Sequence, residues 1–565
     1  MPSPNSRALA TAVTIGLVSL MPVGCSPAIM AGAPRAATTE ERLAQLEQRY
    51  ADTRDLQAQI RVTEARGADR STRGSSLTEL KRTYEVQRAA LLETLSALDS
   101  ASLRGNDARA MRTMRSALRT DEAVASTTSP RDTSCTYDAR AVASAAGKDG
   151  REVLGARAYA CYGRAARRVV IGKDTVDRLT VLGRLGTMDD SAARHQAFVA
   201  LAPLWHAMNG DDSPGSPYRT LMVLSAHEWQ TNGSYISQQA ASLGLDPRQV
   251  EATLVNILTA WRDHTPPTAI EPWNWWFENG AFSRRLSSRV NKDELRVVND
   301  RFYTDLGADP VRLGVHFDLD PRDGKTPVAF TDFGSHPRVR DKAWEPAEPW
   351  IFATYRVGGV DNLGELLHEM GHAVHIAAIE TRPAFADWPD SDPFTEALGD
   401  LLALDLTEPG WQRKYLGDSA TTAESMRSRY SGIVMDVAWA LFELRMHAEP
   451  TQDPNALWAT ITSSYLHLVP HPEWSWWAMR GQLVDLPGYM MNYALGAVIT
   501  ADLRAKVMSA RGPFWRADKK TYRWLSDRLY QWGLERETKD VLQSFLGRPV
   551  TADALLRDMQ RLGSP

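Results

Sequence analysis

Asn362-Leu363-Gly364-Glu365-Leu366-Leu367-His368-Glu369-Met370-Gly371-His372-Ala373-Val374 decides the fold. Leu363, Leu366, Leu367, Met370 and Val374 recur at helical spacing and predict a helix seated in a core, with Asn362 as N-cap and Glu365 at N3. On that helix His368 and His372 stand at i and i+4, so both imidazoles project from one face at a separation that a single tetrahedral Zn2+ bridges. Glu369 is rotated off that line, where it reaches a water beside the metal without binding the metal, the placement of a general base. Gly371 costs roughly 1 kcal/mol against alanine inside a helix, which predicts a neighbouring element in close approach.

Working outward, Asp392-Pro393 predicts an N-cap followed by proline at N1, opening a second helix with Glu396 and Asp400 on one face. Glu396 follows His372 by 396 - 372 = 24 residues and is the expected third ligand. Asp387, Asp390 and Asp392 are rival ligands, but they fall in a proline-rich turn that they can cap or solvate. A site on rigid helices holds ligand geometry better than one on a loop.

The chain has 565 residues, 43% of them hydrophobic, which is ample for a large core. A net charge of -4 without a long basic run excludes nucleic-acid binding by charge. Eighteen Trp, clustered at Trp273, Trp275, Trp276 and at Trp474, Trp476, Trp477, suit buried walls or the lining of a peptide cleft. Residues 1-25 have the character of a signal peptide, with an apolar stretch from Ala8 to Val23 too short to span a bilayer comfortably. Val23-Gly24-Cys25 resembles a bacterial lipobox, which makes Cys25 a lipidation candidate and a membrane attachment point; Ala31-Gly32-Ala33 is the competing, ordinary cleavage site. With Cys25 acylated or removed, Cys135 and Cys161 are left as a natural pair for a disulfide, against the alternative of two separate buried thiols.

Residues 26-125 contain apolar positions at helical spacing (Leu43, Leu46, Tyr50; Leu80, Tyr84, Leu91, Leu95) and predict a helical hairpin or three-helix unit, as a stalk or as a lid. Residues 126-172, rich in Ser, Thr, Ala and Asp at their start, are expected as a loop segment pinned by the disulfide. Residues 173-565 are expected as one mainly α body with a deep cleft. The exception is Val311 to Phe333, which has the pattern of a β-hairpin around Asp323-Gly324, a small sheet beside the zinc helix.

Several of these segments together resemble the glutamate-zincin metallopeptidases, specifically the group of angiotensin-converting enzyme, thimet oligopeptidase and oligoendopeptidase F. Phe394-Thr395-Glu396-Ala397-Leu398-Gly399-Asp400 is similar to the third-ligand segment of the converting enzymes, and Leu204-Trp205-His206-Ala207 to a segment of their amino-terminal half. Phe317-Asp318-Leu319-Asp320-Pro321 and His375 are closer to the oligoendopeptidases, while Gly488-Tyr489-Met490-Met491-Asn492-Tyr493 resembles thimet oligopeptidase. The resemblance implies one Zn2+ per chain on His368, His372 and Glu396, Glu369 as base, Asp400 supporting a ligand histidine, and Tyr493 as oxyanion donor. It implies substrate contacts at Arg480, Gln482, Tyr489 and His336. Arg480 and Gln482 depart from the converting-enzyme pattern, which has Lys and His at those positions.

The expectation is therefore zinc-dependent hydrolysis of oligopeptides, as a peptidyl dipeptidase or an oligoendopeptidase, in a bacterial envelope or periplasm. The alternative from a different class is a non-catalytic envelope lipoprotein that binds peptides or proteins and carries a structural metal. A structural zinc site is closed by four protein ligands, whereas this pattern leaves one position open beside a glutamate. Oligomeric state is not encoded in any of these features.

Overall fold

The computed structural model describes residues 38-67, 74-126, 134-322, 325, 328-340, 342-516 and 518-563. The expected signal segment, Cys25 and the Asp323-Gly324 turn lie outside them. The described chain is mainly α with a few small sheets, and none of its helices is long and apolar enough to cross a membrane.

Helices α1 (Thr39–Ala65), α2 (Leu77–Ala97) and α3 (Gly105–Ser126) form the amino-terminal unit. A capping box starts α1, with Glu41 N–H donating to Thr38 Oγ1 at 3.2 Å and Thr38 N–H to Glu41 Oε2 at 2.7 Å. Leu43, Leu46, Tyr50, Leu91, Leu95, Met111, Met114 and Leu118 close a shared core that also takes in Phe385 of the main body. Each such leucine contributes about 1.5–3 kcal/mol when fully buried. Ion pairs fasten the unit outward: Arg54 to Asp387 at 2.5 Å, Arg61 to Asp332 at 2.8 Å, and Arg382 to Asp107 at 2.8 Å and to Glu47. It is therefore docked on the body along its length.

The expected loop over residues 126-172 is corrected. Residues 139-166 are largely two helices, α4 (Ala139–Ala146) and α5 (Gly150–Ala166), with short non-helical stretches before and after them among the described residues. Leu154, Ala158, Cys161 and Tyr162 give α5 a buried face whose small residues conceal the apolar period. Gly155 is needed there, because a Cβ would stand 2.7 Å from the Val484 carbonyl oxygen. Cys135 and Cys161 lie at disulfide distance, with Cα atoms 5.6 Å apart, as the cysteine count predicted.

After a short hairpin, β1 (Val169–Ile171) and β2 (Asp174–Val176), come α6 (Pro217–Asn232) and α7 (Tyr235–Ser242), with further helices around them. The expected hairpin at 311-333 is also corrected. Strands β3 (His316–Asp318) and β4 (Phe330–Ser335) do not pair with each other; β5 (Arg338–Arg340) and β6 (Ala343–Glu345) form a separate hairpin, and β7 (Glu348–Phe352) inserts between β3 and β4. Strand β3 runs parallel to β7 and β4 antiparallel to it. The long return from β3 is gathered by Lys325, whose Nζ donates to Asp318 O at 2.7 Å, Asp318 Oδ1 at 2.9 Å and Asp320 O at 3.0 Å. Lys325 thus ties back to the end of β3, and β4 pairs with β7 rather than with β3.

Helix α8 (Val360–Ala378) packs against β4 and β7 and carries the H-E-x-x-H run. Its start differs from the sequence expectation: Gly359 is the N-cap, and the Asn362 amide instead donates back to Val357 O at 3.0 Å. Glycine is required at the entry, since a Cβ on Gly358 would meet Val290 O at 2.2 Å. Helix α9 (Asp392–Ala403) starts one residue earlier than expected, with Ser391 as N-cap, because the Asp392 carboxylate is taken by the Tyr235 hydroxyl at 2.6 Å. Helix α9 lies between α8 and α11 (Met490–Arg511), with α10 (Thr422–Ala448) behind α11. Trp476 and Trp477 are buried against Trp458, Tyr218 and Phe442, so this tryptophan cluster is core.

Candidate metal centre

Two close helix contacts bring the ligand atoms together. A Cβ on Gly371 would stand 2.3 Å from Gly399 O, and a Cβ on Gly399 would stand 2.7 Å from His368 Cε1 and 2.8 Å from His372 Nε2. Helices α8 and α9 thus touch through paired glycines directly behind the imidazoles, which is the close approach that Gly371 predicted. The result is a group of His368, His372 and Glu396 whose ligand atoms all lie within 4.8 Å of one another. His368 Nε2 is 3.0 Å from His372 Nε2 and 3.6 Å from Glu396 Oε2. Two ring nitrogens and a carboxylate oxygen aimed at one point are a donor set that fits a divalent transition metal.

The orientation of this group is enforced from behind. His368 Nδ1 faces Asp400 Oδ1 at 2.7 Å, one turn beyond Glu396 on α9, which leaves Nε2 for the metal. His372 packs edge-on against Trp388, and among the described residues its buried Nδ1 has no hydrogen-bond partner. The side chains of His368 and Glu396 keep 23% and 16% exposure, so the centre is open to solvent on one side. Asp387, Asp390 and Asp392 are occupied elsewhere, by Arg54, by Thr538 and by Tyr235, and Glu396 alone among the four joins the histidines.

Glu369 is buried beside them. Thr331 on β4 donates to its Oε2 at 2.7 Å and to its backbone carbonyl at 2.9 Å, fixing the carboxylate from the sheet side. Burial pushes the Glu369 carboxyl up to about 7, with His368 and the Thr331 bond acting the other way and Glu365 and Glu396 adding to the rise.

The opposite wall comes from residues 480-493. The Tyr489 hydroxyl donates to Glu396 Oε1 at 3.0 Å, and its ring meets Tyr493 edge-on at 5.5 Å. Gln482 Nε2 points to the Tyr493 hydroxyl at 3.5 Å. Burial raises the Tyr493 hydroxyl well above the usual phenol range, Glu396 adds to this, and the proton stays on oxygen. Arg480 is bonded to Asp436 on α10 and lies 4.9 Å over the Trp439 ring and 5.8 Å from the Tyr493 ring. Tyr489, Tyr493, Gln482 and Arg480 therefore line one continuous wall.

His336 is not part of that wall. Its side chain is buried, stacks on Phe333 at 4.6 Å and faces Asp55 of α1 at 3.3 Å, so it belongs to the seat of the amino-terminal unit. His375 is likewise packed, between Trp388 and Tyr530, and burial pushes it down to about 3. Several residues around these walls carry no motif signal: Thr331, Asp436, Tyr162, whose hydroxyl donates to Met479 O at 2.6 Å, and Arg178, whose buried Nε has no hydrogen-bond partner among the described residues. A cavity of about 530 Å³ lined by Trp261, Trp275 and Arg427 includes no residue of the metal group.

No protein-family description matches this chain, and a search of curated proteins finds no match either.

Proposed function

We propose that the protein is a zinc metallopeptidase that hydrolyses peptide bonds in oligopeptides. The observation that carries this reading is the convergence of His368, His372 and Glu396 within 4.8 Å, with the Glu369 carboxylate fixed by Thr331 beside them. His368, His372 and Glu396 would hold the ion, with Asp400 and Tyr489 orienting His368 and Glu396. When bound, the ion supplies Lewis acidity to the scissile carbonyl and to water, lowering the water pKa toward about 7.

The chain's own groups do the rest. Glu369 takes a proton from water and returns it to the departing amine, with its carboxylate fixed by the Thr331 hydroxyl. The Tyr493 hydroxyl, kept protonated by burial, donates to the carbonyl oxygen as negative charge develops there. Arg480 offers a bidentate guanidinium for a substrate carboxylate, steadied by Asp436, and Gln482 orients Tyr493. A free peptide carboxylate at Arg480 gives a peptidyl dipeptidase; cleavage that ignores it gives an oligoendopeptidase. The paired cysteines support an oxidising compartment, consistent with export through residues 1-25 to the cell envelope or periplasm.

A fluorogenic peptide assay with metal analysis tests the reading. Turnover is expected to vanish with chelator, to return with Zn2+ and to be lost in Glu369→Gln at unchanged zinc content. Full activity in that variant refutes the assignment. Free and C-terminally amidated peptides separate the two cleavage modes, since a peptidyl dipeptidase rejects the amide.

A further inference from the structure

Glu443 on α10 has no exposed surface, and among the described residues no lysine or arginine pairs with it. Its two oxygens are each taken by a backbone N–H, from Gly488 at 2.8 Å on Oε1 and from Met490 at 2.9 Å on Oε2. Those N–H groups flank Tyr489 and open α11, where helical amides lack intrahelical acceptors. A serine or asparagine would satisfy such groups at less desolvation cost than a buried carboxylate without a cation. What a carboxylate adds is a rigid grip on both sides of one residue. The turn is pinned from its other side too: Gly488 has φ +95°, and a Cβ there would meet the Trp229 and Tyr235 rings at 3.1 Å.

We propose that Glu443 is a positioning residue, clamping the Gly488–Met490 turn so that the Tyr489 hydroxyl stays on Glu396 and the Tyr493 hydroxyl, one turn on, faces the reacting carbonyl. The inference rests on the reading of His368, His372 and Glu396 as the zinc ligands of a peptidase. Nothing in the sequence motifs includes Glu443, and it touches neither metal group nor substrate.

Burial pushes the Glu443 carboxyl up to about 8, against the pull of its two N–H donors. The titratable groups facing it are Tyr218 on α6, Tyr235 on α7 and His447 on its own helix, with Asp392 of α9 beyond Tyr235 and Tyr489 on the clamped turn. Burial holds the Tyr218, Tyr235 and Tyr489 phenols protonated, and it pushes His447 down to about 4, so that this ring is neutral. The ionised form of Glu443, with both oxygens free to accept, therefore fills as pH rises through about 8.

Glu443→Gln keeps the side-chain size and turns one acceptor into an NH2 that faces a backbone donor. The experiment compares it with wild type in kcat and KM against pH, and in zinc affinity by chelator competition. On the alkaline side kcat is expected to fall about 10- to 100-fold and zinc affinity by a similar factor, as for other groups that orient metal ligands. KM stays within about 2-fold, and the rise of wild-type kcat through pH 8 disappears. A role in stability alone leaves kcat per zinc-loaded molecule, the pH limb and the chelator competition at wild-type values, and that result overturns the inference. Should Glu443→Gln fail to fold, Glu443→Asp, too short to span both donors, takes the same measurements with the same overturning result. Adding Glu443→Gln to Tyr489→Phe should weaken zinc no further than Tyr489→Phe alone; independent losses overturn the proposed route. A wild type that binds no zinc and cleaves no peptide refutes the peptidase reading and this inference together, whereas an active wild type with an unchanged Glu443→Gln refutes the inference alone.

Discussion

The two walls of the candidate centre are held by different physics. Helices α8 and α9 meet through Gly371 and Gly399, with Leu363, Leu366, Leu367, Leu398 and Leu401 fully buried around them. The facing wall, residues 480-493, is a short helical piece and a turn, packed through Leu483, Val484, Met490 and Met491, to which individual polar bonds are added: Arg480 to Asp436, Tyr162 to Met479 O, and Glu443 to two backbone amides. Close packing makes the first wall an all-or-none object, because a methyl group has nowhere to go. In the second, the added polar bonds can be changed one residue at a time. The packing of α8 on α9 is thus the rigid part of this site, and the polar bonds of residues 480-493, including the one from Tyr489 to Glu396, are the tunable part.

The comparison is sharpened most by Glu369→Gln, expected to lower kcat about 10³-fold with zinc content unchanged, read by peptide turnover and metal analysis. On the facing wall, Tyr493→Phe is expected to lower kcat about 10²-fold without moving zinc affinity, which steady-state kinetics and chelator competition separate. Equal loss of zinc in both variants would break the division between the walls. Asp400→Ala, which frees His368 Nδ1, should weaken zinc about 10- to 100-fold in chelator competition, with less effect on kcat at saturating zinc. Smallest for activity is the double substitution Cys135→Ser, Cys161→Ser: kcat is expected within about 2-fold of wild type, while urea unfolding shows a loss of about 3 kcal/mol for a loop of 26 residues.

Legibility in the sequence followed the same division. His368, His372, Glu396 and Asp400 were readable because helical periodicity converts sequence spacing directly into a shared face, and the structure brings all four together. Cys135 and Cys161 were readable by counting. The mainly α class followed from apolar periodicity, although α5 was missed because Gly155 and Ala158 pack closely without supplying a strong apolar pattern. Strand β7 was missed because a hairpin pattern registers only chain neighbours, while β3 and β4 each pair across a longer connection. Thr331 reaches Glu369 across 38 residues and Glu443 reaches Gly488 across 45, distances at which no spacing rule operates. For Glu443 one signal existed: a carboxylate between Trp439, Ala440, Met446 and His447 on a buried helix face has to be there for a bond.

The amino-terminal unit has a consequence for the order in which the chain assembles. Arg54 and Asp387 are 333 residues apart, and Arg382, at the head of the connection between the two metal helices, pairs with Glu47 and Asp107. During synthesis α1, α2 and α3 are made before residues 332-387, the segment they dock on, exist. A face built from Glu47, Asp52, Arg54, Asp55 and Arg61 suits that interval, because charged side chains stay hydrated and resist premature association. Residues 382-388 then close over α1 and α3, and that contact sets the loop carrying Trp388 against His372.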